Sequence, residues 1–207
     1  MSRRSATEER RRAILDAALS AFERGGLTGI TIGALSEASG ASVGSIYHHF
    51  GDRGGVVAAV YRESLTLGLD ELLVGLQAAP STEAGVRALV TTWLAWVAAH
   101  PVRARLIYDA SGSELLAPHA DEVSAFKTAF YERVAAWTSA RTARGELRAL
   151  PVWALDPVVM GPAHEFARRW LLGLPVPLEQ ATPFIAEAVW RSVAPDAAQS
   201  SSNQVQQ

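Results

Sequence analysis

The sequence predicts an all-α protein of about nine helices, with a small N-terminal head and a larger C-terminal helical body. Three observations predict this class. Apolar residues recur at three- and four-residue spacing along the 207-residue chain, no stretch alternates as a half-buried strand would, and glycine and proline divide the pattern into helix-sized segments. Because 49% of the residues are hydrophobic, the chain can bury a sizeable core.

The first helix is predicted from one apolar face, on which Ile14, Ala18 and Phe22 follow at four-residue spacing. Gly25-Gly26 ends it, because glycine is common just beyond a helix C-terminus. Its start is basic, with five arginines against Glu8 and Glu9, namely Arg3, Arg4, Arg10, Arg11 and Arg12. Such a run alone is usually a solvated helix face. Beside the motif that follows, it suits contacts to phosphate groups.

Residues 31–53 predict two short helices, a tight turn between them and the start of a third helix. Thr31 and Ser42 suit the N-cap positions, and Gly40 suits the sharp turn. The residues predicted to face inward from the second helix are Val43, Ile46 and Phe50. Its outward face is small and polar and consists of Ser42, Gly44, Ser45, Tyr47 and His48. A helix of this kind can enter a DNA major groove, so the segment predicts DNA binding.

Beyond Gly51 the apolar periodicity predicts a body of longer helices, the first of them capped by Asp52. These helices are predicted at residues 52–79, 81–100, 101–112, 118–144, 156–173 and 177–193, with a loop at 147–155 and a kink at Gly161-Pro162. The predicted domains are a helix-turn-helix head at residues 1–53 and a helical body at 54–194. The Gln- and Ser-rich residues 195–207 are predicted to be disordered.

The composition narrows the classes of protein to which the chain can belong. The net charge is −2, so nothing global marks the chain as a nucleic-acid binder. The absence of cysteine excludes disulfides, thiolate metal sites and cysteine nucleophiles, and it suits a reducing cytosol. No apolar segment follows the basic start, and no apolar run reaches the ~20 residues that a bilayer span requires. We therefore expect a cytoplasmic protein that does not partner with a membrane.

From Thr31 to Arg53 the sequence resembles the tetracycline-repressor (TetR) family of bacterial transcriptional regulators, and the resemblance extends more loosely over residues 8–60. The residues that carry it are Thr31, Leu35, Ala38, Gly40, Ser42, Gly44, Ile46-Tyr47-His48-His49-Phe50 and Arg53. One departure follows the motif. Gly54-Gly55 stands where the family usually has an acidic residue and a leucine, and each glycine lowers helix stability by roughly 1 kcal/mol relative to alanine.

The resemblance implies a regulator, most often a repressor, that releases its operator when a small apolar effector binds, and not an enzyme. Thr31, Tyr47 and Arg53 would contact DNA phosphates. The residues that would read bases are Ser42, Gly44, Ser45 and His48. The implied partners are a two-fold symmetric DNA operator, a second copy of the chain and the effector. No cofactor or metal is predicted.

The resemblance also places an effector pocket and a dimer interface in the body. The aromatic residues that could line the pocket are Trp93, Trp96, Tyr108, Phe126, Phe130 and Trp137. The residues that could pair two copies through the last two helices are Val159, Phe166, Trp170, Ile185, Val189 and Trp190. Either set could instead be the ordinary core of a monomer.

Two other classes of protein remain as alternatives. In an all-helical enzyme, His164-Glu165, or His119 with Asp121, would be acid–base or metal pairs. The chain has no HExxH spacing, no glycine-rich phosphate loop after a strand and no nucleophile elbow, and surface or capping roles explain these residues better. In an adaptor, the helix-turn-helix would contact protein instead of DNA.

Overall fold

The computed structural model describes residues 3–195, with side chains from residue 6 onward, and this part of the chain confirms the all-α class. Its helices are α1 (Arg3–Gly29), α2 (Ile32–Ser39), α3 (Val43–Phe50), α4 (Arg53–Ala78), α5 (Thr82–Ala99), α6 (Pro101–Ala110), α7 (Ala120–Ala143), α8 (Val152–Val159), α9 (Gly161–Leu171) and α10 (Leu178–Val193). A 3-10 turn at Ala117–His119 precedes α7. The segment predicted to be disordered lies, from residue 196 on, outside the described residues.

Contacts between Cα atoms divide the chain into two compact units, with boundaries inside α4 and α7. Within the described residues, the first unit comprises residues 3–67 and 100–127, and the second comprises residues 68–99 and 128–195. The first unit therefore contains the predicted head together with the first half of α4, all of α6 and the start of α7. No helix among the described residues combines the length and hydropathy that a bilayer span needs.

The core of the first unit forms where α1 packs against both α2 and α6. Ile14, Phe22 and Leu35 are completely buried there. Full burial of side chains of this size is worth about 1.5–3 kcal/mol each, so these contacts hold a head whose helices α2 and α3 are too short to be stable alone. Arg105 of α6 adds a polar contact, because its guanidinium lies 5.1 Å from the centre of the Phe22 ring and donates to the Glu23 carbonyl.

The second unit is built around α5, which packs along α10 and also contacts α8 and α9. Trp93 and Trp96 are only 1% exposed, and their rings stack with centroids 5.2 Å apart. His164 of α9 meets the Trp93 ring edge-on at 5.0 Å. At the surface of the same packing, Arg87 of α5 pairs with Glu83 in its own helix and with Glu187 of α10. Aromatic stacking inside and ion pairing outside thus join α5 to its neighbours.

The region after residue 150 differs from its prediction. The sequence predicts one helix from Asp156 that is kinked at Gly161-Pro162, whereas α8 begins at Val152 and ends before Met160, and α9 begins at Gly161. Pro162 lies in the first turn of α9, where its missing N–H would have had no helical partner. Proline therefore starts a new helix here and does not bend a continuous one.

Glu146, which follows α7, generates a prediction about acid stability. Hydrogen bonds from Arg144 and then from Thr82 lower the pKa of the Glu146 carboxyl from 4.5 to about 2. Because the pKa is depressed in the folded chain, the contacts stabilise it above the unfolded value of 4.5. This contribution is lost as the pH falls toward 2.

We expect Glu146→Gln to flatten the acid side of the stability profile. Urea unfolding should show a smaller fall in free energy of unfolding between about pH 5 and about pH 2 than in the parent chain, since the variant has no carboxyl there to protonate. Glu132→Gln, on the exposed side of α7, is the matched control and should leave the profile unchanged. Parallel profiles for Glu146→Gln and the parent would contradict the assignment.

Candidate nucleic-acid interface

The turn between α2 and α3 is fixed by hydrogen bonds from small side chains. Gly40 has a φ of 67°, a left-handed conformation that favours glycine. The Ser36 hydroxyl donates to the Ala41 carbonyl at 2.7 Å, and the Ser39 hydroxyl donates to the Leu35 carbonyl at 2.6 Å. The two serines therefore replace backbone bonds that a tight turn leaves unmade.

Both predicted N-caps are confirmed. Thr31 Oγ1 accepts a hydrogen bond from the Ala34 amide, and Ser42 Oγ accepts one from the Ser45 amide, each at 3.2 Å. Both caps are exposed. Because each hydroxyl acts as an acceptor in its cap, its proton remains able to bind an acceptor outside the protein. The capped helices α2 and α3 therefore begin with hydroxyl donors that face solvent.

The outward face of α3 contains the residues predicted for it and one more. Ser42, Gly44, Tyr47 and His48 are exposed and Ser45 is half-buried, with Tyr47 exposed by 49%. Ile46 is completely buried, and Phe50 is half-buried.

The predicted inward position of Val43 is wrong, because its side chain is 46% exposed. It precedes Ile46 by three positions, which places it roughly 60° around the helix from the buried side. It also lies in the first turn, directly after the cap. The signal that would have found it is its position directly after the N-cap, at the very start of α3.

Arg53 is already bonded within the head. Its Nη2 donates to the Leu27 carbonyl at 2.7 Å, and the side chain is half-buried. Its Nε is buried without a hydrogen-bond partner among the described residues. Arg53 thus ties the first turn of α4 to the end of α1, a role that the sequence did not indicate. Its remaining N–H groups decide whether it can also hold a phosphate.

The glycine pair after Arg53 has a steric explanation. A Cβ atom on Gly55 would overlap the carbonyl oxygen of Phe50, and one on Gly54 would lie 2.8 Å from the carbonyl oxygen of Leu115. In the same turn, Asp52 Oδ1 accepts a hydrogen bond from the Gly55 amide at 2.7 Å and so confirms the predicted cap of α4. The backbone approaches here too closely for any larger residue. This explains why glycine occupies both positions despite its lower helix propensity.

The basic N-terminus is only partly free to bind an anion. Arg10 is exposed, whereas Arg11 lies with its guanidinium 5.6 Å from the centre of the Phe50 ring. Arg12 is 3.6 Å from a carboxylate oxygen of Glu63. The side chains of the other two arginines of this cluster, at positions 3 and 4, lie outside the described part of the chain.

The residues predicted to line a pocket do not come together as one group. Phe130 and Trp137 line a cavity of about 360 Å³ in the second unit. Trp93 and Trp96 are buried core of that unit and are not part of the cavity wall. Tyr108 and Phe126 belong to the first unit and are half-buried. The cavity wall is completed by residues that the sequence did not indicate, among them Leu89, Val134, Leu147, Trp153 and Met160.

The residues predicted to pair two copies also divide into two sets. Phe166, Trp170, Ile185 and Trp190 are half-buried and keep accessible surface. Val159 and Val189 are 8% and 1% exposed, so they pack inside their own chain. Two strongly exposed apolar side chains of the same region were not predicted. They are Leu172 just after α9 and Phe184 in α10, with exposures of 80% and 79%.

The residue pairs considered for an enzyme have packing and surface partners. His164 contacts Trp93, and Glu165 pairs with Arg169 at 2.7 Å, which lowers the pKa of the Glu165 carboxyl. His119 lies 3.7 Å from the carboxylate of Asp52, not beside Asp121. Within residues 3–195 no group of three or more His, Asp or Glu side chains is placed to hold a metal ion.

Residues 14–60 match the family model described as bacterial regulatory proteins, tetR family. Among curated proteins, the chain is similar to the HTH-type transcriptional repressor AcnR of Corynebacterium glutamicum, with 43% identity over 53 residues, which are 26% of this chain and 28% of AcnR. It is also similar to the HTH-type transcriptional regulator BetI of Escherichia coli, with 35% identity over 78 residues, 38% of this chain and 40% of BetI. The match therefore spans less than half the length of either relative.

The similarity to solved structures extends over most of the chain. A TetR family transcription regulator from Marinobacter aquaeolei superposes with a TM-score of 0.77 at 18% identity, covering 93% of this chain and 100% of that one. The transcriptional regulator FadR from Bacillus subtilis, solved in complex with stearoyl-CoA, gives a TM-score of 0.72 at 14% identity, covering 86% and 96%. At these identities the likeness establishes the fold. Together with the family match across residues 14–60, it shows a TetR-like fold whose N-terminal helix-turn-helix matches the tetR family of bacterial regulatory proteins.

Proposed function

We propose that the protein is a DNA-binding transcriptional regulator that inserts α3 into the major groove. The observation that supports this most directly is the outward face of α3, which is exposed, small and able to form hydrogen bonds, while Ile46 anchors the opposite side. We assign DNA binding to residues 1–53 and effector binding and dimerisation to residues 54–194. A regulator of this kind acts on cytoplasmic DNA and is not an enzyme.

Phosphate contacts position the head and carry no sequence information. Thr31 and Tyr47 present exposed hydroxyl groups that can donate to phosphate oxygens. Arg53 uses one N–H on the Leu27 carbonyl, and the outer part of its guanidinium donates to a third phosphate. Arg10 adds exposed positive charge at the start of α1.

Base reading depends on small side chains that make single hydrogen bonds or apolar contacts with the base edges. Ser42, Gly44, Ser45 and His48 face the groove, and none of them can make the two-pronged contact of arginine with guanine. Val43 adds an apolar surface of the kind that fits the C5-methyl group of thymine. Direct readout is therefore modest and is supplemented by the shape and deformability of the DNA.

One head buries too little DNA for tight specific binding, so the regulator acts as a homodimer on a two-fold symmetric operator. Its two recognition helices then enter major grooves about 34 Å apart. The interface lies on α9 and α10. The side chains that keep accessible surface there are Phe166, Trp170, Leu172, Phe184, Ile185 and Trp190.

The regulator is a repressor that a small apolar molecule releases from DNA. The support for an effector site is the cavity of the second unit, which is lined mainly by carbon atoms. The similar FadR structure, which holds stearoyl-CoA, gives a precedent for a small-molecule complex within this fold. Effector binding favours a conformer in which the two heads have the wrong separation for the operator, so DNA is released by a shift in population.

The test of the proposal is duplex selection from a random pool, followed by affinity measurement at several salt concentrations. We expect two-fold symmetric sequences, with the logarithm of the binding constant falling linearly as the logarithm of salt concentration rises. Tyr47→Phe should weaken binding to selected and unrelated duplexes alike, by about fivefold for one lost hydrogen bond. An enzyme or a protein-binding adaptor would bind no duplex at low salt, and that result would refute the proposal.

The proposed contact of Val43 with thymine can be tested by removing the thymine methyl group from the DNA. Replacing the contacted thymine in each half-site by uracil should weaken binding of the parent chain by about fourfold per methyl removed. Val43→Ser should bind the thymine and uracil duplexes equally. Val74→Ser, an exposed valine of α4, is the control and should still discriminate. Discrimination retained by Val43→Ser would remove Val43 from base reading.

Phe184→Asp tests the dimer interface. Because the side chain is 79% exposed within its chain, the substitution leaves the fold intact but buries a charge in the proposed interface. Sedimentation velocity should show a monomer, and operator affinity should fall by at least about a hundredfold. Val74→Asp should stay dimeric. A dimeric Phe184→Asp with full operator affinity would place the interface elsewhere.

A further inference from the structure

The cavity of the second unit is a site of modest size. It lies between α7 and the segment formed by residues 147–160, and Val86, Leu89 and Val193 complete its walls. Its volume of about 360 Å³ is near the lower end of the ~300–1,000 Å³ that small-molecule pockets occupy. The space therefore suits a compact molecule of one or two rings and not a peptide.

One polar side chain of the cavity wall is buried. Thr138 of α7 is 9% exposed and stands among carbon-lined neighbours that include Phe130, Val134 and Leu147. The charged groups of the wall, Arg148 and Asp156, are exposed to solvent. Thr142 of the same wall is half-buried, so Thr138 is the buried hydroxyl that a ligand can contact.

Thr138 can accept a hydrogen bond from a ligand. Its hydroxyl donates to the Ala135 carbonyl at 3.0 Å within α7, so its lone pairs are what it offers a ligand. A ligand that presents another acceptor has to displace the internal hydrogen bond. A ligand hydroxyl can donate to Thr138 Oγ1 and leave that bond in place.

An anionic ligand is disfavoured. The cation of the cavity wall, Arg148, has its guanidinium bonded to the Ser192 carbonyl and its amide bonded to the Val193 carbonyl at 2.9 Å. A carboxylate inside the carbon-lined part would lose its hydration without gaining a partner, which is far more costly than burying a neutral hydroxyl.

We propose, on the basis of the proposed regulatory function, that the effector is a neutral one- or two-ring molecule of the phenol or alcohol class whose hydroxyl donates to Thr138. Its rings lie against Phe130, Trp137 and Trp153. Trp153 is 79% exposed and stands at the mouth of the cavity, where it can cover a bound ring.

Three probes of nearly equal shape test by calorimetry at neutral pH whether the site prefers a hydrogen-bond donor, an acceptor or an anion. They are 2-naphthol, which donates a hydrogen bond, 2-methoxynaphthalene, which only accepts one, and 2-naphthoate, which is anionic. We expect 2-naphthol to bind about tenfold more tightly than 2-methoxynaphthalene, and 2-naphthoate not to bind. Equal affinities for the first two, or tighter binding of 2-naphthoate, would overturn the proposal.

Thr138→Val locates the hydroxyl contact, because it keeps the shape and removes the acceptor. The affinity for 2-naphthol should fall to that for 2-methoxynaphthalene, which should itself be unchanged. The matched control is Thr91→Val, since the Thr91 hydroxyl makes the same bond to the carbonyl three residues back but is exposed on α5 outside the cavity. If Thr138→Val kept its preference for 2-naphthol, the naphthol hydroxyl would donate to an acceptor other than Thr138. That result would refute the proposal.

Trp153→Ala provides a second test that does not disturb the core. It should weaken 2-naphthol and 2-methoxynaphthalene equally, by about fivefold or more, because both lose the covering ring. Unchanged affinities would show that the probes bind elsewhere. Duplex binding measured without probe separates the two hypotheses. Salt-dependent operator binding with no preference for 2-naphthol refutes only the effector class, whereas 2-naphthol binding without duplex binding refutes only the regulatory function.

Discussion

The carbonyl group of Phe50 and the backbone of Gly55 approach so closely that a Cβ atom on Gly55 would overlap the carbonyl oxygen. This approach closes the turn between α3 and α4, and Asp52 fixes it by accepting a hydrogen bond from the Gly55 amide. The orientation of α3 follows from this turn together with the burial of Ile46. Arg53, which bonds the Leu27 carbonyl, then connects the same turn to the end of α1. The exposed face of α3 is thus a consequence of packing at the other end of that helix.

Local chemistry was readable from the sequence wherever one residue determines a backbone state. Thr31, Ser42 and Asp52 cap their helices as predicted, and Gly40 takes the left-handed conformation. Predictions failed where the outcome depends on a neighbour that the sequence does not place. Val43 has the spacing of a buried residue but is 46% exposed, because periodicity reports a preferred face and not whether another helix covers it.

The candidate site in the second unit was less predictable, because it also depends on neighbours that the sequence does not place. Trp93 and Trp96 fill space completely, whereas the cavity is a place where side chains from α5, α7, α8 and the intervening loop leave space unfilled. Aromatic content predicts burial well, but an unfilled volume depends on segments far apart in sequence. Val159 and Val189 illustrate the converse, since both were predicted for an interface but are 8% and 1% exposed and pack inside their own chain.

The composition of α3 also bears on the proposed pairing of two heads. Residues 42–50 contain no lysine or arginine, so the base reading that we propose for this helix relies on short hydrogen bonds and a methyl contact. Contacts of this kind contribute about 1 kcal/mol each, too little to separate an operator from the excess of competing DNA in a genome. With a net charge of −2, the chain also lacks a global electrostatic attraction to DNA. A second head that reads the other half-site doubles the number of these contacts without changing any of them. The weakness of each contact in α3 is therefore an argument for a paired regulator.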